Sequence, residues 1–162
     1  MINDLYSERI LAAAAAAPPA RRLPQPHASA RKASRVCGSE IVVDLNVDDG
    51  VVTDFGMDVR ACALGQASAS IVARRIVGAE TDALHRLRTE MRAMLKDGGP
   101  PPAGERWREL AALEAIRDYP QRHASVLLVF EAVADALAAC AEPGRDVADR
   151  PAAPPDDPSH RC

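Results

Sequence analysis

The segment Glu40-Ile41-Val42-Val43-Asp44-Leu45-Asn46-Val47-Asp48-Asp49-Gly50-Val51-Val52-Thr53-Asp54-Phe55-Gly56-Met57-Asp58-Val59-Arg60 carries the plainest secondary-structure signal in the chain. Its first half alternates. Ile41, Val43, Leu45 and Val47 fall on one side of an extended strand, and Val42, Asp44, Asn46 and Asp48 fall on a mostly polar other side. Asp48-Asp49-Gly50 supplies a tight turn. The return strand then places Val51, Thr53, Phe55, Met57 and Val59 together, opposite Asp54, Asp58 and Arg60. Two strands alone are marginal in water, so a third strand or covering helices must pack on the apolar face.

Upstream of the hairpin, residues 27–36 lack apolar bulk, yet their alternation permits an edge strand. Before them, four prolines between residues 17 and 26 make an extended connection. Residues 2–16 are expected to be helical, with Ile2, Leu5, Tyr6 and Ile10 at helical spacing until Pro18-Pro19 end the run. Downstream, four helical segments follow. Residues 65–77 are small and apolar, and residues 81–96 carry Leu84, Leu87, Met91, Met94 and Leu95 on one stripe with Thr81 as N-cap. Residues 106–117 carry Trp107, Leu110 and Leu113. The last helix starts near Ser125, with Val126, Phe130, Val133, Leu137 and Cys140 on one face. A hairpin followed by helices predicts an α+β layer, with helices on one face of an antiparallel sheet. Residues 1–141 form this domain, and the Pro-, Asp- and Arg-rich residues 142–162 form a disordered tail.

With 162 residues the chain fits one domain, and its formal charge of −3 provides no footprint for nucleic acid. The run Ile10–Ala17 is far short of a bilayer span, and Asp4 and Glu8 precede it where a secretory signal needs positive charge. A cytoplasmic protein without nucleic-acid or membrane partners is expected. Its four cysteines, Cys37, Cys62, Cys140 and Cys162, contain no Cys-x-x-Cys pair and are expected to be reduced. No phosphate-binding Gly-rich loop, Gly-x-Ser-x-Gly elbow or His-Glu-x-x-His helix is present, so independent hydrolytic or redox catalysis has no support.

Cys37 lies just before the first strand of the hairpin, and Cys62 lies just after the second. Antiparallel pairing returns those two ends to one end of the ribbon, where two thiols begin a soft metal site. Cys62 also precedes a helix, whose positive dipole end favours thiolate. The plain alternative is that free cysteines are apolar filler, which suits Cys140 on its helical stripe.

Val36-Cys37-Gly38-Ser39, the hairpin, and Ala61-Cys62-Ala63-Leu64-Gly65-Gln66-Ala67-Ser68-Ala69-Ser70 together resemble the iron–sulfur cluster scaffold family of IscU, SufU and the NifU N-terminal domain. Tyr119-Pro120-Gln121-Arg122-His123-Ala124-Ser125-Val126-Leu127-Leu128 is similar to the segment bearing that family's third cysteine. The spacing from Cys62 to this segment is closer to the SufU branch. The resemblance implies an antiparallel three-stranded sheet with helices on one face. It also implies a site of three cysteines and the aspartate of Cys-Gly-Asp. Cys37 and Cys62 match two of those positions, while Ser39 stands at the aspartate and Ser125 at the third cysteine. A serine hydroxyl is a poor ligand beside a thiolate or carboxylate, which leaves His123 as a further candidate donor.

The implied function is iron–sulfur cluster assembly, with iron or a labile cluster as cargo and zinc as an alternative ion. Coordination would be completed by His123, an exogenous thiol or a second subunit in a homodimer. Cys37 is the expected persulfide acceptor, and the expected partners are a cysteine desulfurase and acceptor apoproteins. Two alternatives stand beside this reading. One is a metal-free interaction or regulatory paralogue of the scaffold, and the other is a SufU-like sulfur acceptor.

Overall fold

The computed structural model of the chain describes residues 7–35 and 38–141. Residues 2–6 of the expected first helix, Cys37 and the expected tail at 142–162 lie outside the described residues. The elements run α1 (Glu8–Ala15), β1 (Ala28–Ala33), β2 (Glu40–Asp48), β3 (Val51–Arg60), α2 (Ala63–Arg75) and α3 (Thr81–Lys96). A 3-10 helix (Glu105–Asp118), a short 3-10 turn (Pro120–Arg122) and α4 (His123–Ala141) complete the order.

The sheet is antiparallel in the order β1-β2-β3, as expected. Asp49 and Gly50 both have positive φ, at 52° and 75°, which is the twist a two-residue hairpin turn requires. The register departs from simple alternation in one place. Asn46 pairs with Asp54 but Val47 pairs with Val52, so Thr53 is an extra residue in β3. This bulge reverses the parity near the turn. Val52 is buried, whereas Val51 and Thr53, expected on the apolar face, are half-buried and exposed.

The side chains of Ile41, Val43, Leu45 and Val47 are fully buried. α4 crosses this face over β1 and β2 and is packed in turn by α2 and α3. α4 and its lead-in, Pro120–Cys140, are long and apolar enough to cross a membrane, but 72% of the apolar window is buried, which suits the core helix of a globular domain. α3 begins without a side-chain cap, since Thr81 is its first residue and not its N-cap. The Thr81 amide is bonded instead to the Gly50 carbonyl, and the Val52 amide to the Ala79 carbonyl, so the hairpin tip closes the helix start. The segment 105–118 is a 3-10 helix because its buried residues, Trp107, Leu110, Leu113 and Ile116, recur every three positions, matching three residues per turn.

The second face of the sheet is not simply solvated. The extended segment before β1 lies across it, with the Arg21 amide bonded to the Met57 carbonyl at 2.9 Å. Asp44, read as part of a polar face, is wholly buried under this segment. Its carboxylate accepts bonds from Arg22 Nε at 2.6 Å, the Leu23 amide at 3.0 Å and Ser29 Oγ at 2.5 Å. Gly56, opposite Asp44 in the register, makes room for the crossing, because a Cβ there would stand 2.6 Å from the Arg21 carbonyl oxygen. Gly56→Ala is therefore expected to destabilise the domain by about 1–3 kcal/mol in denaturant unfolding, since backbone rather than a flexible side chain must move.

Candidate functional site

Cys62 occupies the N-cap position of α2, where its backbone turns from β3 into the helix with φ −66° and ψ 173°. The thiol is half-buried, and among the described cysteines it is a free thiol. At this position it faces the unpaired amides and the positive dipole end of a 13-residue helix. Its Sγ donates to Ser125 Oγ at 3.6 Å, a long contact of the kind sulfur makes.

The structure thus places Cys62 against the residue expected at the third ligand position. The sequence explains why these helices come so close. Gly65 lies one turn into α2, and a Cβ there would meet the Ala61 side chain at 2.7 Å and the Ser125 carbonyl oxygen at 3.4 Å. Another turn along, the buried Ser68 hydroxyl donates to the Val126 carbonyl at 2.8 Å. The run of Ala and Ser residues from 67 to 70 is buried throughout. Small side chains let α2 and α4 approach, and the approach presses Ser125, only 2% exposed, onto Cys62.

Ser39 is also buried, in the connection between β1 and β2. Gly38 turns this connection with φ 71°, and the Ser34 amide closes it onto the Ser39 carbonyl at 2.8 Å. The next residue, Glu40, pairs across the hairpin with Arg60, so the Ser39 loop and Cys62 share one end of the sheet. This is the juxtaposition expected from the hairpin. In the same loop, Ser34 Oγ is buried with no hydrogen-bond partner, which costs about 1–3 kcal/mol in a folded protein. The Glu40 carboxylate is ion-paired with Arg31, on the sheet face away from the helices, and so is not aimed at Cys62.

His123 departs from expectation. Its ring is buried, and Nε2 lies 3.0 Å from the Ile116 carbonyl oxygen and 3.1 Å from that of Arg117. Residues two apart on a helix point to nearly opposite sides, so with Ser125 facing Cys62, His123 faces the 3-10 helix. In this conformation the imidazole secures the start of α4 and is not brought to Cys62. Among the described residues, no group of three or more His, Cys, Asp or Glu side chains is placed to hold a metal ion. Cys140, expected as a reduced apolar filler, is half-buried near the end of α4 and is disulfide-bonded.

Comparison with known proteins agrees with the fold. The sequence pattern of the NifU-like N-terminal domain family matches residues 18–126. The iron–sulfur cluster assembly scaffold protein IscU of Thermotoga maritima is 30% identical over 107 residues, covering 66% of this chain and 74% of that protein. The crystal structure of a nitrogen-fixing NifU-like protein (N-terminal) from Brucella abortus superposes with a TM-score of 0.82 at 47% identity. That match covers 85% of this chain and 94% of that one. A protein described as an assembly scaffold for the SUF system of Fervidobacterium islandicum shares the fold at 19% identity. Its TM-score is 0.75, with 83% of this chain and 98% of that one covered.

Proposed function

Because the chain belongs to the NifU-like N-terminal domain family, a family of iron–sulfur cluster assembly scaffolds, we propose that it carries sulfur or iron in transit during cluster assembly and does not store a finished cluster. The observation behind this reading is the chemistry packed around Cys62. A serine hydroxyl touches the thiol where the resemblance calls for a third cysteine, and the nearby histidine is turned away. Cluster and zinc sites use four strong donors. In the reduced protein this chain offers at most two thiols at the family's ligand positions, Cys62 and Cys37, with Ser39 and Ser125 in the remaining places. Two thiolates can take up iron, but tight retention needs donors from another molecule. Zinc, with the same demand for four ligands, is not part of the proposal.

Sulfur acceptance requires only one thiol. The Cys62 thiol loses its proton to solvent, and the thiolate attacks the outer sulfur of a persulfide on a cysteine desulfurase. The S–S bond of that persulfide breaks, its electron pair stays on the desulfurase cysteine as a thiolate, and Cys62 becomes the new persulfide. Nothing is oxidised or reduced overall. The dipole of α2 favours the negative charge on Cys62 before and after transfer. The Ser125 hydroxyl, which accepts from the thiol at rest, can rotate to donate to the anion. Cys37 is the second acceptor in this proposal, and a cytoplasmic apoprotein receives the cargo.

The test is an anaerobic incubation with a cysteine desulfurase and cysteine, followed by intact-mass and peptide measurements. The proposal expects the mass of one added sulfur atom on the peptide holding Cys62 or Cys37. A protein that gains no sulfur under these conditions contradicts it.

A further inference from the structure

At the far end of α2 from Cys62 lies a cleft of about 1070 Å³ between α1, α2 and the 3-10 helix. Ile71 lies nine residues beyond Cys62 and Arg75 thirteen, so the cleft begins about 14–20 Å along the helix from the thiol. Its floor is apolar and shallow, made by Ala12, Ala13, Ala16 and Ile71. Alanines leave the trough open where larger side chains would fill it.

The walls are basic. Arg9, Arg74, Arg75, Arg106 and Arg108 line the cleft with only Glu105 and Glu109 among them, an excess of three positive charges on a chain whose formal charge is −3. Part of this array is held in place. Arg74 grips Glu109 through two bonds, at 3.0 and 2.9 Å, and Arg75 adds a third at 3.1 Å. Arg106 donates to the carbonyls of Arg75 and Val77 at 2.5 and 3.1 Å, so its charge is fixed at the helix end. The other two are uncommitted. Arg9 is exposed on α1, and Arg108 has only a 3.5 Å pair with Glu105, itself 90% exposed.

We infer that this cleft is a docking site for an acidic segment of a protein partner, one with an apolar face for the alanine floor and carboxylates for the arginine walls. The volume accommodates roughly two turns of helix, beyond the usual size of an enclosed metabolite pocket. A nucleic acid would call for aromatic stacking surfaces, and the floor contains none. Arginine pairs with carboxylates through two parallel bonds, so the uncommitted Arg9 and Arg108 can each take an acid of the partner while the held arginines keep the cleft positive. Docking at this end of α2 leaves Cys62 uncovered while a partner is bound.

A fluorescein-labelled helical peptide of alternating leucine- and glutamate-bearing turns, titrated by anisotropy against the full chain, tests the inference. Saturable binding is expected, weakening at least tenfold in the Arg9→Glu/Arg108→Glu protein. Arg86→Glu, a single charge reversal of the same kind at an exposed position of α3, should leave it unchanged. Both variants alter exposed residues, and circular dichroism verifies their folding. Absence of peptide binding overturns the inference, as does an equal loss in Arg86→Glu. Full competition by inorganic phosphate at matched ionic strength also overturns it, by identifying a small-anion site.

Discussion

The double variant Cys37→Ser/Cys62→Ser is expected to accept no sulfur from a desulfurase persulfide and to retain no iron, while remaining folded. The first half follows from donor chemistry. Once both thiols are gone, hydroxyls occupy all four positions that the family resemblance assigns to ligands, and a neutral hydroxyl neither attacks a persulfide nor competes for ferrous iron at neutral pH. The second half follows from position. Cys62 stands at the N-cap of α2, where serine is among the preferred residues, and its replacement leaves a hydroxyl able to bond the helix amides. Cys62→Ser alone should therefore shift unfolding free energy by less than about 1 kcal/mol. Loss of cargo with an unchanged unfolding curve separates chemistry from stability. Sulfur loading that persists in the double variant would place acceptance on another residue.

Asp44→Ala is expected to cost about 2–4 kcal/mol of folding free energy, the largest effect on stability of any substitution considered for this protein. Asp44 is fully buried beneath the proline-rich crossing segment, and among the described residues no other side chain ties that segment to the sheet with as many bonds. Its removal leaves the buried Leu23 amide and the Ser29 hydroxyl without their acceptor, although Arg22, about half exposed, can return to water. The same group makes stability pH-dependent. Burial pushes the Asp44 carboxyl up. The bonds from Arg22, Ser29 and the Leu23 amide, with the charge of Arg22, outweigh burial and hold its pKa below the usual carboxylate value. A carboxyl with a depressed folded pKa contributes stability that is complete above its unfolded pKa, about 3.9, and is lost as pH falls through the folded value. Glu109 acts in the same direction, lowered chiefly by its bond from Arg74. Denaturant midpoints measured from pH 7 down to pH 3 should decline below about pH 4 in the parent and decline less in Asp44→Asn. Parallel slopes would show that Asp44 does not carry the linkage.

The sheet was legible because alternation over nine residues and an Asp-Gly turn leave few other structures for 40–60. The pairing of strand ends with Cys62 followed from antiparallel geometry, and the placing of Ser125 beside Cys62 from resemblance alone. Alternation could not reveal the bulge at Thr53, because the inserted residue is polar and the two valines before it, Val51 and Val52, suit either parity. Asp44 looked like a solvent-facing acid since its cover, Arg21–Leu23, comes from an extended segment without periodic pattern. The direction of the His123 ring was not legible for a related reason. Adjacency to a site in sequence says nothing about which side of a helix a ring leaves from, and two residues' offset sends it to the opposite side. The arginine cleft was invisible because its walls come from three elements separated by some ninety residues.

The most direct test of the account is retained iron and sulfide after anaerobic reconstitution with ferrous iron, a cysteine desulfurase and cysteine, followed by desalting. The parent protein should be compared with Ser39→Asp/Ser125→Cys, in which the two missing donors are restored. The account predicts that the parent leaves the column with sulfur on its thiols but little iron or visible absorption, while the variant keeps a chromophore with matched iron and sulfide. A parent protein that holds a chromophore as fully as the variant would contradict it, because two thiolates and two hydroxyls would then suffice to keep a cluster.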